Sequence, residues 1–180
     1  MSYIIFFIRI IIYAPLTVFQ IVNIFFKNKF ILLDLDYSLC NNFALHEIRN
    51  YDDFSPDYEN LEMPINEEVL KFLKEEKCRD YSIIIFTSRG LRSSFYTQAW
   101  LKKNNISFQS ILYIGVTLLK TIPIFLFTCL SKDFILIDDL CEVKNKKLTR
   151  SYAHKNITKL QKRNNFLWID TQNKFFNENT

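Results

Sequence analysis

Glycine is almost absent, with only Gly90 and Gly115 in 180 residues. A Walker-type phosphate loop and the GxGxxG dinucleotide fingerprint both need several backbone positions without a Cβ, so neither nucleotide cradle exists in this chain. Histidine is as scarce. His46 and His154 lie far apart, which excludes a His-rich zinc site and an HExxH protease helix and leaves both as surface residues in the simplest reading. The four cysteines, Cys40, Cys78, Cys129 and Cys141, contain no CxxC pair. That spacing argues against a zinc ribbon, a thioredoxin-like motif and a dense disulfide framework, and it points to a reducing compartment.

What is present is a chain able to bury a core. At 49% hydrophobic and 23% charged it is not disordered by composition, and its length suits one domain or a domain with an appendage. The net charge of +4 is local. Lys144, Lys146, Lys147, Arg150, Lys155, Lys159, Lys162 and Arg163 carry +8 with no acid among them, which leaves −4 for the rest.

The N-terminus is an oily run. Residues 3 to 26 are apolar except for Arg9, Thr17, Gln20 and Asn23, and Lys27 and Lys29 close the segment. Ile10 to Phe26 gives 17 residues without a charge, at the short end of the roughly 17 to 25 that cross a bilayer as a helix. With Arg9 snorkelling to an interface the span lengthens, and a membrane anchor is the preferred reading. Pro15 and the density of Ile and Phe keep a helix packed on the domain as an alternative. A cleaved signal is weaker, because no small-x-small site follows. Lys27 and Lys29 would stay on the cytoplasmic side, so the domain is expected in the cytosol, membrane-attached or, on the alternative reading, soluble.

Beyond Lys29 the pattern changes. Phe30-Ile31-Leu32-Leu33 ends at Asp34, Ser82-Ile83-Ile84-Ile85-Phe86 ends at Thr87-Ser88-Arg89-Gly90, and Phe134-Ile135-Leu136-Ile137 ends at Asp138-Asp139. Short runs without polar alternation are the mark of parallel strands buried on both faces. Phe166-Leu167-Trp168-Ile169, ending at Asp170, reads as a fourth. Between them, Pro64 to Glu68 opens a helix with Asn66 as cap and acids in the first turn; Val69, Leu70, Phe72 and Leu73 form its apolar side. A second helix is expected over about Leu91 to Lys103, with Leu91, Phe95, Ala99 and Leu101 inward. A third has Thr121 as cap and Pro123 in its first turn. A second membrane span over residues 111 to 131 competes with that helix, but it would hold Lys120 in mid-bilayer at roughly 2.5 to 3.5 kcal/mol. Alternating strands and helices predict an α/β fold, a Rossmann-like three-layer sandwich whose ligand site lies beyond the carboxyl ends of its parallel strands.

Those strand ends carry a resemblance. Asp34-Leu35-Asp36-Tyr37-Ser38-Leu39 resembles the DxDx[TV] signature of the haloacid dehalogenase (HAD) superfamily of phosphohydrolases, Thr87 resembles its second motif, Lys120 its third and Asp138-Asp139 its acidic fourth. The resemblance covers residues 30 to 140. It implies residues 29 to 180 as the catalytic domain behind an apolar segment, 1 to 28, and hydrolysis of phosphomonoesters through an aspartyl-phosphate. Asp34 would be the nucleophile and Asp36 the acid and base. Thr87, Ser88 and Lys120 would bind the phosphoryl group, and Asp34, the carbonyl of Asp36, Asp138 and Asp139 would hold Mg²⁺, a hard cation suited to carboxylates and phosphate oxygens. Lys132 is the rival to Lys120, although its place just before the fourth motif suits a turn better.

The chain departs from the pattern twice. Tyr37 stands where a glycine is often found, and Ser38 replaces a threonine while keeping the hydroxyl. The inserts are small: Cys40 to Met63, with Phe43, His46, Tyr51, Phe54 and Tyr58, and Gly90 to Gly115. Neither can fold as a cap domain, so a minimal-cap enzyme with a bulky phosphorylated substrate is expected. Arg49, Asp52, Asp53 and Asp57 read as solvated loop residues. For the basic stretch from 144 to 163 the plain reading is a solvated helical face; the functional one is attraction of a phosphorylated substrate or an anionic membrane surface. No nucleic-acid motif accompanies it, so nucleic acid is not an expected partner. The rival functions are a metal-dependent nuclease and a non-catalytic binding protein that keeps the fold.

Overall fold

The structure, a computed structural model, describes residues 11–12, 15, 29–41, 61–75, 78–115, 117–131, 133–144, 147–150 and 157–171. Most of the N-terminal run, the insert from 42 to 60, Lys132, His46 and His154 lie outside these residues, and so do the anchor reading and the loop residues Arg49, Asp52, Asp53 and Asp57. No helix among the described residues is long and apolar enough to cross a membrane.

The strands are β1 (Lys29–Asp34), β2 (Ser82–Thr87), β3 (Ser110–Tyr113), β4 (Asp133–Ile137), β5 (Cys141–Lys144), β6 (Lys147–Arg150) and β7 (Phe166–Ile169). Five of them form one sheet in the order β3-β2-β1-β4-β7, every pair parallel. Because β1 is central, Phe30 through Leu33 are fully buried. Side chains alternate between the faces of a strand, and here both faces are core. Phe30, Leu32, Ile84, Phe86, Phe134 and Leu136 lie in one cluster; Ile31, Leu33, Ile85, Ile135 and Ile137 lie in the other. That is why the sequence of these strands runs apolar without a break.

Helices α1 (Glu67–Leu73), α2 (Ser94–Lys103) and α3 (Thr121–Leu130) complete three layers. Ile124 and Phe127 of α3, with Ile157, cover the first face. The ring of Phe127 meets Phe30 edge-on at 4.9 Å and stacks on Phe134 at 5.9 Å. Val69 and Phe72 of α1 with Trp100 and Leu101 of α2 cover the second face. Asn66 caps α1, its side chain accepting from the Val69 amide at 3.3 Å. Replacing it with alanine removes one partner from the exposed end of the helix. Asn66→Ala should therefore lower stability by about 0.5–2 kcal/mol, read as a melting temperature lower by about 2–4 °C per kcal/mol; an unshifted melt would mean that the cap contributes nothing.

Three local expectations are corrected. Leu91 and Phe95 do not face inward: they are 44% and 73% exposed, and Thr97, Trp100 and Leu101 are the buried positions. A 3₁₀ turn at Leu91–Ser93 precedes α2, and its tighter winding rotates the helix relative to a continuous α-helical register. At the other end Asn105 takes φ 54°, Asn105 N–H bonds to Lys102 O and Ile106 N–H to Leu101 O; this left-handed cap turns the chain and buries Ile106 beside Leu101. Thr121 is not a cap either. A 3₁₀ turn at Thr117–Lys120 runs straight into α3, so Lys120, already helical at φ −56°, holds the cap position and Thr121 is the first helical residue. Pro123 sits in the first turn as expected, and the described residues between 111 and 131 form a strand, a 3₁₀ turn and a ten-residue helix, too short to cross a membrane.

The third correction concerns the basic stretch. Lys144 to Arg150 belongs to an antiparallel hairpin of β5 and β6, where a helical face was expected. Register pairs Lys144 with Lys147 and Val143 with Leu148. Strands of this kind are marked in a sequence by period-two alternation, which the density of lysines obscures here. Lys159, Lys162 and Arg163, farther on, are exposed.

Candidate active site

The sheet order reverses beside β1: the chain steps from β1 to β2 to β3 on one side and returns to β4 on the other. At such a switch point the loops leaving adjacent strands diverge and open a crevice at the carboxyl ends. Leu33 pairs with Ile137, so Asp34 and Asp138, the next residue of each chain segment, emerge side by side. Asp34 pairs with Phe86, and Thr87 follows one residue later. Carboxylate oxygens of Asp34, Asp138 and Asp139 all lie within 4.8 Å of one another, and all three residues are buried.

Lys120 enters this cluster from the start of α3. Its Nζ lies 2.8 Å from Asp34 Oδ2 and 3.1 Å from Asp138 Oδ2, with 2% of the side chain exposed. It also stands 4.9 Å from the centre of the Phe86 ring. Burial opposes its charge, as does the positive end of the helix dipole at that position. The charges of Asp138 and Asp34 outweigh both effects and raise its pKa above the ordinary 10.5, so it is a fixed cation at neutral pH. For Asp34 the balance goes the other way. Burial, reinforced by Asp138, raises its carboxyl well above the usual 3.8 even though Lys120 pulls it down. Three carboxylates face one ammonium, and Asp34 Oδ1 is buried without a hydrogen-bond partner. A hard divalent cation would fit there: the donors are all oxygens, the charge balance is short of positive charge, and one ligand atom has nothing else to bind.

The remaining contacts position the acids. Asp138 Oδ1 accepts from the Leu140 amide at 2.7 Å, and Trp168 Nε1 donates to the Asp138 carbonyl at 2.9 Å. Ser38 Oγ accepts from the Asp139 amide at 3.2 Å and shares a hydrogen bond with Thr171 Oγ1 at 3.1 Å. The hydroxyl retained at Ser38 therefore ties the loop after β1 to the loop after β4. Tyr37 takes φ 62° and Leu140 φ 49°. Both are left-handed conformations that favour glycine and cost of order 1–3 kcal/mol for other residues.

Asp36 lies outside the carboxylate cluster. Its two oxygens are gripped by Arg89, Nε to Oδ2 at 2.9 Å and Nη2 to Oδ1 at 2.6 Å. Thr87 Oγ1 accepts from the Arg89 amide at 3.1 Å, which leaves its own hydrogen to donate elsewhere. Ser88 is half-buried in the bend after β2. The structure thus brings Asp34, Lys120, Asp138 and Asp139 together, with Asp36 and Thr87 joined beside them through Arg89. Sequence reasoning gave no role to Arg89, nor to Ser38 and Thr171 as links between loops. The available signal was a single basic residue at the same strand end as Thr87, among loops that otherwise carry acids.

The insert leaves from a narrow neck. Cys40 pairs with Ile65 in an antiparallel bridge, Asn41 N–H bonds to Pro64 O and Asn66 N–H to Leu39 O, each at 2.8 Å. Inside the neck, Trp100 Nε1 donates to the Met63 carbonyl at 2.9 Å.

Neither a protein-family model nor a curated protein matches the sequence. Among solved structures, a chain of the Pnkp1/Rnl/Hen1 complex is similar, with a TM-score of 0.52 and 19% identity over 80% of this chain and 46% of that one. The present chain thus spans less than half the length of the chain it matches. At that identity the likeness is one of fold: a parallel α/β sheet flanked by helices.

Proposed function

We propose that this chain is a HAD-like, Mg²⁺-dependent phosphomonoester hydrolase. The observation that carries the reading is the gathering of Asp34, Asp138, Asp139 and Lys120 at the carboxyl ends of adjacent parallel strands, with Asp34 Oδ1 left unpartnered. Mg²⁺ held by Asp34, the Asp36 carbonyl, Asp138 and Asp139 would neutralise the phosphoryl oxygens as they approach this acidic cluster.

The residues divide the work. Asp34 attacks phosphorus: a bond forms from its oxygen to phosphorus as the bond to the leaving oxygen breaks, giving an acylphosphate. Asp36 gives its proton to the leaving oxygen. A water then attacks the acylphosphate and passes a proton to Asp36, and as the new oxygen–phosphorus bond forms the bond to Asp34 breaks, restoring both carboxyls. Thr87 and Ser88 donate to phosphoryl oxygens, and Lys120 offsets the charge that develops beside Asp34. The insert between the neck residues is too short for a separate cap domain, which favours a bulky phosphorylated substrate.

The purified protein should release phosphate from p-nitrophenyl phosphate in the presence of Mg²⁺ and stop on chelation. An unchanged rate in excess chelator would remove the cation from the reading. No release from any of a panel of phosphorylated sugars, nucleotides, lipids and peptides would remove the reading itself.

A further inference from the structure

Arg89 is 1% exposed and among the largest fully buried side chains. Every nitrogen of its guanidinium is engaged. Nε and Nη2 fork onto both oxygens of Asp36, Nη1 donates to the buried Thr97 Oγ1 at 3.1 Å, and Nη2 also meets Met63 Sδ at 3.9 Å. Thr97 belongs to α2 and Asp36 to the loop after β1, so the rigid fork transmits the position of a helix to a loop carboxyl that lies 53 residues before Arg89. A planar, bidentate pair fixes the plane of the carboxylate as well as its distance, which a lysine cannot do.

We infer that Arg89 is a positioning residue for the carboxyl of Asp36, setting its orientation toward the leaving oxygen of a phosphoester; this rests on the phosphatase reading above. The pair does not block proton transfer. Each carboxyl oxygen has two lone-pair sites and gives one to Arg89, so the other can carry the proton while the fork stays closed. Arg89 stays charged in both halves of the cycle and holds the same orientation for donation to the leaving group and for acceptance from water.

A role through Asp36 differs from a general structural role in its dependence on leaving group. A proton is needed most where the departing oxygen is poor at bearing charge. Arg89→Lys retains a buried cation beside Asp36 but loses the fork. With Mg²⁺ present, its kcat on an alkyl phosphate such as glycerol phosphate should fall about 100-fold, the scale of a misplaced catalytic group, while kcat on p-nitrophenyl phosphate falls only about threefold. The same split should appear in Asp36→Asn, and adding an Arg89 change there should cost nothing more. Equal losses on both substrates, or a double variant clearly worse than Asp36→Asn alone, would overturn the inference while leaving the phosphatase reading intact. If Arg89→Lys does not fold, Arg89→Gln in the Asp36→Asn background replaces the ion pair by an amide pair and must match Asp36→Asn in kcat. A wild-type protein inactive on both substrates overturns the phosphatase reading, and this inference with it.

Discussion

Asp34→Asn is expected to lose phosphate release by about 10⁴-fold or more, the scale for removing the nucleophile of a covalent mechanism, and yet to melt at or above the temperature of the unmodified protein in metal-free buffer. The second half follows from burial. A carboxyl whose folded pKa is raised binds its proton more tightly in the native state than in the unfolded chain. Stability therefore falls as pH climbs from 3.8 toward the folded value, and above it the native state carries the full penalty of a desolvated charge. Asparagine lifts that penalty. Mg²⁺ should reverse the order by raising the melting temperature of the wild type more than that of the variant. Release within tenfold of wild type would sink Asp34 as nucleophile. A variant that melts far lower would contradict the account of a buried charge held at a cost for chemistry.

Lys120→Met is expected to be the most destabilising single change at the site. It leaves Asp34 and Asp138 facing each other in a dry pocket with no cation between them. Breaking a buried pair in this way costs about 3–5 kcal/mol, or about 2–4 °C of melting temperature per kcal/mol for a chain of this size. Turnover should fall about 10²–10³-fold, as when one preorganised donor is removed. The pH dependence has a definite sign. Because the folded pKa of Lys120 lies above its ordinary 10.5, its contribution is complete below that value and is lost as pH rises through the folded one. The gap between wild type and variant should therefore close in strong alkali, and below that it should widen as pH rises, because without Lys120 nothing pulls the raised Asp34 carboxyl back down. Mg²⁺ should narrow it at neutral pH by supplying the missing positive charge. A variant melting within about 2 °C of wild type would show that the two carboxyls do not depend on Lys120.

What could be read from the sequence follows from how the strands are buried. β1, β2 and β4 announce themselves because strands covered on both faces run almost wholly apolar until they end; β7 reads as apolar too, although it is an edge strand with Leu167 half exposed. The polar residues at or just past their ends are Asp34, Thr87, Asp138 and Asp170, and the first three of them lie in the candidate site. Asn66 was legible because a cap acts within one turn of its own position. The register of α2 was not: a 3₁₀ turn before the helix is a choice of backbone winding with little trace in residue type. Nor was the pairing of β5 with β6, where alternation was masked by lysines such as Lys144 and Lys147 at pairing positions. Arg89 was hidden for another reason. Its partner stands 53 residues away on a different loop, and only the packing of β1 against β2 makes them neighbours.

The neck formed by Leu39 to Asn41 and Pro64 to Asn66 separates two problems that most proteins must solve together. Its hydrogen bonds close on themselves, so the sheet experiences the same boundary whatever chain is strung between the two sides. The entropic penalty of lengthening that chain grows only with the logarithm of its length, about 0.6 kcal/mol per doubling. Sequence between residues 42 and 60 can therefore drift, grow or be exchanged with less effect on β1 and the acids at its end than change at Leu61 to Met63, which are held against α2 and Arg89. The neck thus offers a place between β1 and α1 where a foreign binding module could be grafted at a modest entropic cost.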